Sequence, residues 1–187
     1  MYTVDEIVRF CHEIGMKKIV ITDHSQANLD SWGNVKKTAR SHIKKWKNIT
    51  NSLDVDFGVE CDLLNAKGDV CFHIDDVEGN FNILSYHEEN FKGDKKRVAE
   101  GMINAMRRYH DKINIIGHPV LGVSPEDAVK IVLEANKHRI PLEINAKYFL
   151  SLPDIWDPVL KNAEQAYVNS DGHLLHEIRD FRKEAFR

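Results

Sequence analysis

Six times along this chain a short apolar run, rich in β-branched residues, stops on a polar and usually ionisable side chain. The pattern is set by Ile19-Val20-Ile21, followed at once by Thr22-Asp23-His24-Ser25. A continuous apolar run of this kind reads as a strand buried on both faces, as in a parallel sheet. Its polar end then falls at the carboxyl edge of a sheet or barrel, where α/β proteins place their chemistry. The same grammar recurs at Val55 to Val59 before Glu60, at Phe81 to Tyr86 before His87, and at Ile113 to Ile116 before Gly117-His118. Pro141-Leu142-Glu143-Ile144-Asn145 and Ala166-Tyr167-Val168-Asn169, the latter leading into Ser170-Asp171-Gly172-His173, complete the series.

Helical signals fill the intervals. Thr3-Val4-Asp5-Glu6 fits a capping box, and Ile7, Val8, Cys11 and Ile14 keep helical spacing as far as Gly15. The chain is expected to continue with a loop over Asn28 to Asn34 and a basic amphipathic helix from about Val35 to Asn51. Further helices are expected over Lys95 to Tyr109, from Ser124-Pro125 onward, within Asp154 to Gln165 and from about Leu174. Val70-Cys71-Phe72 reads as a short extra strand. Strands alternating with helices argue parallel βαβ units with right-handed crossovers, in the α/β class. On pattern alone, a closed barrel and an open doubly wound sheet both satisfy this order.

At 187 residues the chain has the length of one domain, taken here as residues 1–187. A net charge of -3 offers no general attraction for nucleic acid or an anionic membrane surface. No apolar run approaches the roughly 20 residues that span a bilayer, and no secretory leader opens the chain. Cys11, Cys61 and Cys71 lack the CxxC spacing and are odd in number, which suits reduced thiols and a cytoplasmic setting. GxGxxG, GxxxxGK[ST] and GxSxG are all absent, which leaves dinucleotide, P-loop and serine-hydrolase chemistry without support.

His24, Glu60, His87, His118, Asp171 and His173 stand at or just beyond the ends of the expected strands. Parallel strands bring such ends to one face, so residues more than a hundred positions apart become neighbours. A single histidine is more often a satisfied structural residue than a ligand; the joint placement is what points to a metal centre. Imidazole and carboxylate suit zinc, manganese or iron. His12, His42, His73, His110, His138 and His176 fall in helices or an unassigned hairpin and are read as surface or structural residues.

Taken in order, Ile21-Thr22-Asp23-His24, Gly58-Val59-Glu60, Ser85-Tyr86-His87, Gly117-His118-Pro119, Leu142-Glu143-Ile144-Asn145 and Ser170-Asp171-Gly172-His173 resemble the successive motifs of the PHP (polymerase and histidinol phosphatase) superfamily. The resemblance implies a distorted, TIM-like (βα)7 barrel with one to three divalent ions (Zn, Mn or Fe) at the carboxyl ends of its strands. It also implies hydrolysis of a small phosphate monoester by a metal-activated hydroxide, with Glu60, His24, His118 and Asp171 as catalytic residues. By position, Glu60 would bridge two ions, His87 and His118 would complete one site, Asp171 would serve the other side, and His24 with His173 a third. Asp23, Glu143 and Asn145 would support ligands or touch substrate.

The family's first motif, an His-x-His on the first strand, has no counterpart in this sequence, so the expected barrel has six parallel strands and lacks its first. A gap in the barrel leaves strand edges to be covered by a partner, such as a second copy of the chain. The expected partner in solution is a small phosphoester, with nucleic acid the lesser candidate and no membrane. The alternative is a degenerate PHP-like domain that binds metal or a phosphorylated ligand without catalysis.

Overall fold

The first helix, α1 (Val4–Glu13), starts at a closed capping box. Thr3 Oγ1 accepts from the Glu6 N–H at 3.2 Å, and the Glu6 carboxylate accepts from the Thr3 N–H at 2.7 Å. Val4, Val8 and Cys11 face the core. Gly15, at φ 84°, then supplies the left-handed residue that turns the chain out of the helix. This computed structural model describes residues 2–33, 43, 53–149 and 151–178. The expected helix over Val35 to Asn51 lies outside them except for Ile43, and so does the chain beyond residue 178.

The remaining elements follow in order. Strand β1 (Lys18–His24) leads into helix α2 (Gln26–Ser31). Strand β2 (Asp54–Leu63) is followed by three two-residue strands, β3 (Val70–Cys71), β4 (His73–Ile74) and β5 (Val77–Glu78). Then come β6 (Phe81–Ser85), a 3-10 turn over Lys95–Arg97, helix α3 (Val98–Tyr109) and β7 (Ile115–Ile116). Helix α4 (Pro125–His138), β8 (Leu142–Asn145), the short α5 (Ala146–Phe149), α6 (Pro153–Asn162), β9 (Ala166–Asn169) and a 3-10 turn over Leu175–Glu177, where a helix from about Leu174 is expected, complete the described chain. Ser124 caps α4 by accepting from the Asp127 N–H at 3.1 Å, with Pro125 at the first helical position.

The main sheet runs β1-β2-β6-β7-β8-β9, and every pairing along that path is parallel. It curls into a half-barrel of six strands, an α/β architecture, with β3 added antiparallel to the far end of β2. Phe57, Val59, Leu84, Ile116, Leu142 and Ile144 from the strands meet Met102, Met106, Ile131 and Trp156 from the helices in one buried cluster. Arg107 of α3 forks onto the Glu134 carboxylate of α4 at 2.7 and 3.2 Å, aligning the two helices.

Three expectations are corrected. β1 is not buried on both faces: Val20 is 36% exposed, because β1 pairs on one side alone among the described residues. Asn28 to Asn34 does not begin as loop. Ser25, with an extended backbone, starts a helical turn whose Asn28 and Leu29 N–H groups bond the Ser25 carbonyl, both at 3.1 Å, and burial of Asn28 and Leu29 fixes it in place. Nor does β2 stop at Glu60. It runs three residues further because β6 pairs Cys61 with Leu84 and Asp62 with Ser85, while β3 pairs Asp62 with Cys71 and Leu63 with Val70.

The close approach of β2 and β6 needs a residue without a side chain. A Cβ on Gly58 would stand 2.2 Å from the Phe81 carbonyl oxygen and 3.0 Å from Thr22 Cγ2. The backbone atom cannot rotate away. Gly58→Ala is therefore expected to cost about 3 kcal/mol, the upper end of ordinary overpacking. The measurement is a urea midpoint that falls at unchanged m-value; an unmoved midpoint would show that the two strands part freely.

Candidate metal centre

Register, more than local sequence, assembles the centre. His24 is the last residue of β1 and stands directly opposite Glu60 on β2. Glu60 in turn pairs with Ile83 of β6, so His87 arrives just past the same edge. His118 follows β7, and Asp171 and His173 follow β9, each at the carboxyl end of its strand. A parallel sheet thus delivers six distant residues to one side, as its chemistry-bearing edge should.

Glu60 is the hub. Its Oε2 lies 3.1 Å from His24 Nδ1, while its Oε1 lies 3.0 Å from His118 Nε2 and 3.4 Å from His87 Nε2. The rings of His24 and His87 stand 5.2 Å apart, those of His87 and His118 5.4 Å, and those of His24 and His173 6.1 Å. Ligand atoms of His24, Glu60 and His87 all lie within 4.8 Å of one another, close enough to hold one ion. Imidazole nitrogen and carboxylate oxygen are the donors that zinc, manganese and iron accept.

Electrostatics agree with that spacing. Burial pushes the Glu60 carboxyl up, but hydrogen bonds from His118 and His87 and the charge of His24 outweigh it and hold the group well below its ordinary value. Burial works against protonated His87, yet Asp62 and Glu60 on either side raise it to about 10. His118 shifts in the same direction, burial opposing and Glu60 prevailing. Glu60 is thus an anion between His87 and His118, whose protons a divalent ion can displace.

A second layer ties down His118 and Asp171. The buried Glu143 carboxylate accepts from the His118 backbone N–H at 2.9 Å and from Asn169 Nδ2 at 3.2 Å. Asn145 Nδ2 donates to Asp171 Oδ2 at 3.0 Å and approaches Glu143 Oε2 at 3.5 Å. Burial raises the Glu143 carboxyl, and Asp171 adds to the rise while His118 opposes it. His118 and Asp171 both adopt positive φ, 27° and 46°, an uncommon conformation for side-chain-bearing residues that concentrates at functional sites. His118 Nδ1 is buried and has no hydrogen-bond partner among the described residues. The ring meets Glu60 through its other nitrogen, Nε2, which is the atom turned into the centre.

His173 is exposed; its Nδ1 lies 3.1 Å from the Asp171 carbonyl, and its ring faces His24. Asp23 accepts from the Ile43 backbone N–H at 3.0 Å. His24, His87 and His118 therefore meet on Glu60 and His173 stands beside His24, while Asp23 is engaged with Ile43 and Asp171 with Asn145. The trio within 4.8 Å is His24, Glu60 and His87, without His118. Asp62, Ser25 and Asn90 were not singled out from sequence, yet they are joined by hydrogen bonds of 2.5 and 2.7 Å directly behind His87. The available signal was alternation: residue 62 shares a strand face with residue 60 once the strand is allowed to continue.

Fold and geometry together define an α/β half-barrel with a His/Glu centre able to hold a metal ion at the carboxyl ends of its strands. No protein-family profile matches the chain. It is similar to a probable phosphatase of Shewanella piezotolerans, 26% identical over 97% of this chain and 75% of that protein. A probable phosphatase of Shewanella frigidimarina is 25% identical over 90% of this chain and 70% of its own length. Probable phosphatase YcdX of Escherichia fergusonii is 26% identical over 79% of this chain and 59% of its own length. The chain thus spans between about 59% and 75% of these relatives. No helix among the described residues is long and apolar enough to cross a membrane.

Proposed function

We propose that the chain is a metal-dependent phosphatase of the PHP type, acting on a small phosphate monoester, with its six parallel strands forming the body of a (βα)7 barrel. The observation that carries this reading is the His24-Glu60-His87 group, whose ligand atoms lie within 4.8 Å of one another at the carboxyl ends of parallel strands. The similarity to probable phosphatases supports the same reaction class. The imidazole and carboxylate donors gathered at Glu60 fit zinc, manganese or iron. Such an ion, when bound, supplies Lewis acidity that lowers the pKa of water and neutralises phosphoryl oxygens.

The chain's own side chains would then divide the work. Glu60 presents one oxygen to His24 and the other to His87 and His118, the arrangement a bridging carboxylate needs. His87 and His118 would give up their protons to let an ion bind. Asp171 would serve the ion on the other side of Glu60 and His173, its ring 6.1 Å from that of His24, would serve a third with His24, while Asn145 and Glu143 keep Asp171 and the His118 backbone in place.

The deciding experiment pairs metal content by mass spectrometry with hydrolysis of p-nitrophenyl phosphate under added Mn²⁺ or Zn²⁺. Metal uptake with turnover is expected, and His87→Ala and His118→Ala should lose both. Metal uptake without hydrolysis of any member of a broad phosphoester panel would assign the chain a binding role instead. Full metal occupancy in both variants would reject the ligand assignment.

A further inference from the structure

We infer that Asp62 is the positioning residue of the centre: it takes the Nδ1–H of His87 and so turns Nε2 toward Glu60 as the ring's coordinating atom. The inference rests on the metal-centre reading proposed above. Asp62 is completely buried, two residues past Glu60 on β2. Three groups converge on its carboxylate: Ser25 Oγ at 2.5 Å on one oxygen, His87 Nδ1 at 2.6 Å and Asn90 Nδ2 at 2.7 Å on the other. The carboxylate oxygen accepts, so the proton of the short bond belongs to Nδ1, and Nε2 is the atom left facing Glu60 at 3.4 Å.

The need for such a residue is local. His118 is buried, and its backbone is gripped by Glu143, so its ring direction follows from packing. His87 lies beyond the end of β6, on a segment with no ladder to hold it. The imidazole must be oriented by its side chain, and Asp62 reaches it from the rigid interior of β2. Ser25, at the start of α2, and Asn90, three residues after His87, fix the carboxylate in turn. Carboxylates that take the second N–H of a ligating histidine typically strengthen metal binding by about 10- to 100-fold.

The test compares Zn²⁺ affinity, by competition with a chromogenic chelator, in the wild type, Asp62→Ala, Asp62→Asn and Ile131→Ala. Asp62→Ala is expected to bind about 10- to 100-fold more weakly. Asp62→Asn, whose Oδ1 can still accept from Nδ1–H, should recover most of that loss. Ile131→Ala removes a buried side chain of α4 and should lower stability while leaving affinity unchanged. In the metal-free protein, a slowly exchanging His87 Nδ1–H proton resonance is expected in the wild type and in Asp62→Asn. Equal Zn²⁺ affinity in Asp62→Ala and wild type, or an equal loss in Ile131→Ala, overturns the inference. Should Asp62→Ala fail to fold, the wild-type resonance decides, since its absence also overturns the assignment. A wild type that takes up no Zn²⁺ is a different result: it removes the metal centre itself.

Discussion

Glu60→Gln is expected to abolish metal retention and to lower phosphate-monoester hydrolysis about a thousandfold. Both oxygens of Glu60 are committed, one to His24 and one to His118 and His87, in a buried setting that keeps the group ionised. Glutamine has the same shape and no charge. One of its two polar atoms is an amide nitrogen that can only donate, so one side of the hub loses its acceptor. Without the anion, His87 and His118 also lose the acceptor facing their Nε2 atoms, and a divalent ion loses its only carboxylate in the tight trio. Metal-supplied stabilisation of several kcal/mol corresponds to about three orders of magnitude in rate. Metal content and kcat should fall together while the far-UV circular dichroism stays that of the wild type. A variant that keeps its metal and turns over within tenfold of the wild type would displace Glu60 from the centre.

What could be read from sequence was whatever depends on a residue's place relative to a strand end. His24, His87, His118, Asp171 and His173 each follow an apolar run, and parallel pairing is enough to gather them, so no knowledge of side-chain packing was needed. The six strands of the half-barrel were legible for the same reason. What escaped depends on contacts between segments far apart in the chain. β2 looked finished at Glu60, since Cys61-Asp62 breaks the apolar run; its pairing with Leu84-Ser85 of β6 on one side and Val70-Cys71 on the other continues it, and with it the face that carries Asp62. Helix α2 has little helical signal in Gln26 to Ser31, yet burial of Asn28 and Leu29 supports it. The exposure of Val20 was hidden because the apolar composition of a strand does not say whether it sits inside a sheet or at its edge.

Acidity should have the second large effect: apparent metal affinity is expected to fall by at least about tenfold for each pH unit between pH 9 and pH 6. In the metal-free protein His87 is raised to about 10, Asp62 and Glu60 outweighing the burial that opposes its charge, and His118 is raised as well. Across this range His87 must surrender a proton for every ion bound, and mass action then sets the slope. As pH falls below the raised value of His118, a second proton steepens it. Stability runs the other way. A group whose folded value lies above its ordinary 6.5 stabilises the fold fully below that value, and the contribution disappears as pH climbs through about 10. Metal-free protein should therefore melt progressively lower from pH 6.5 to 10. Over the same interval the gain in Tm on adding Zn²⁺ should widen, because tighter binding adds more to the folded state. Glu60, held low, contributes stability that is present above its ordinary 4.5 and is lost only as pH falls toward its depressed value, so it leaves the alkaline limb untouched. Chelator competition at each pH gives the affinity slope, and paired melting curves give the crossing trends. A flat affinity profile from pH 6 to 9 would mean that no protonated histidine yields to the ion, and the centre would have to be sought elsewhere.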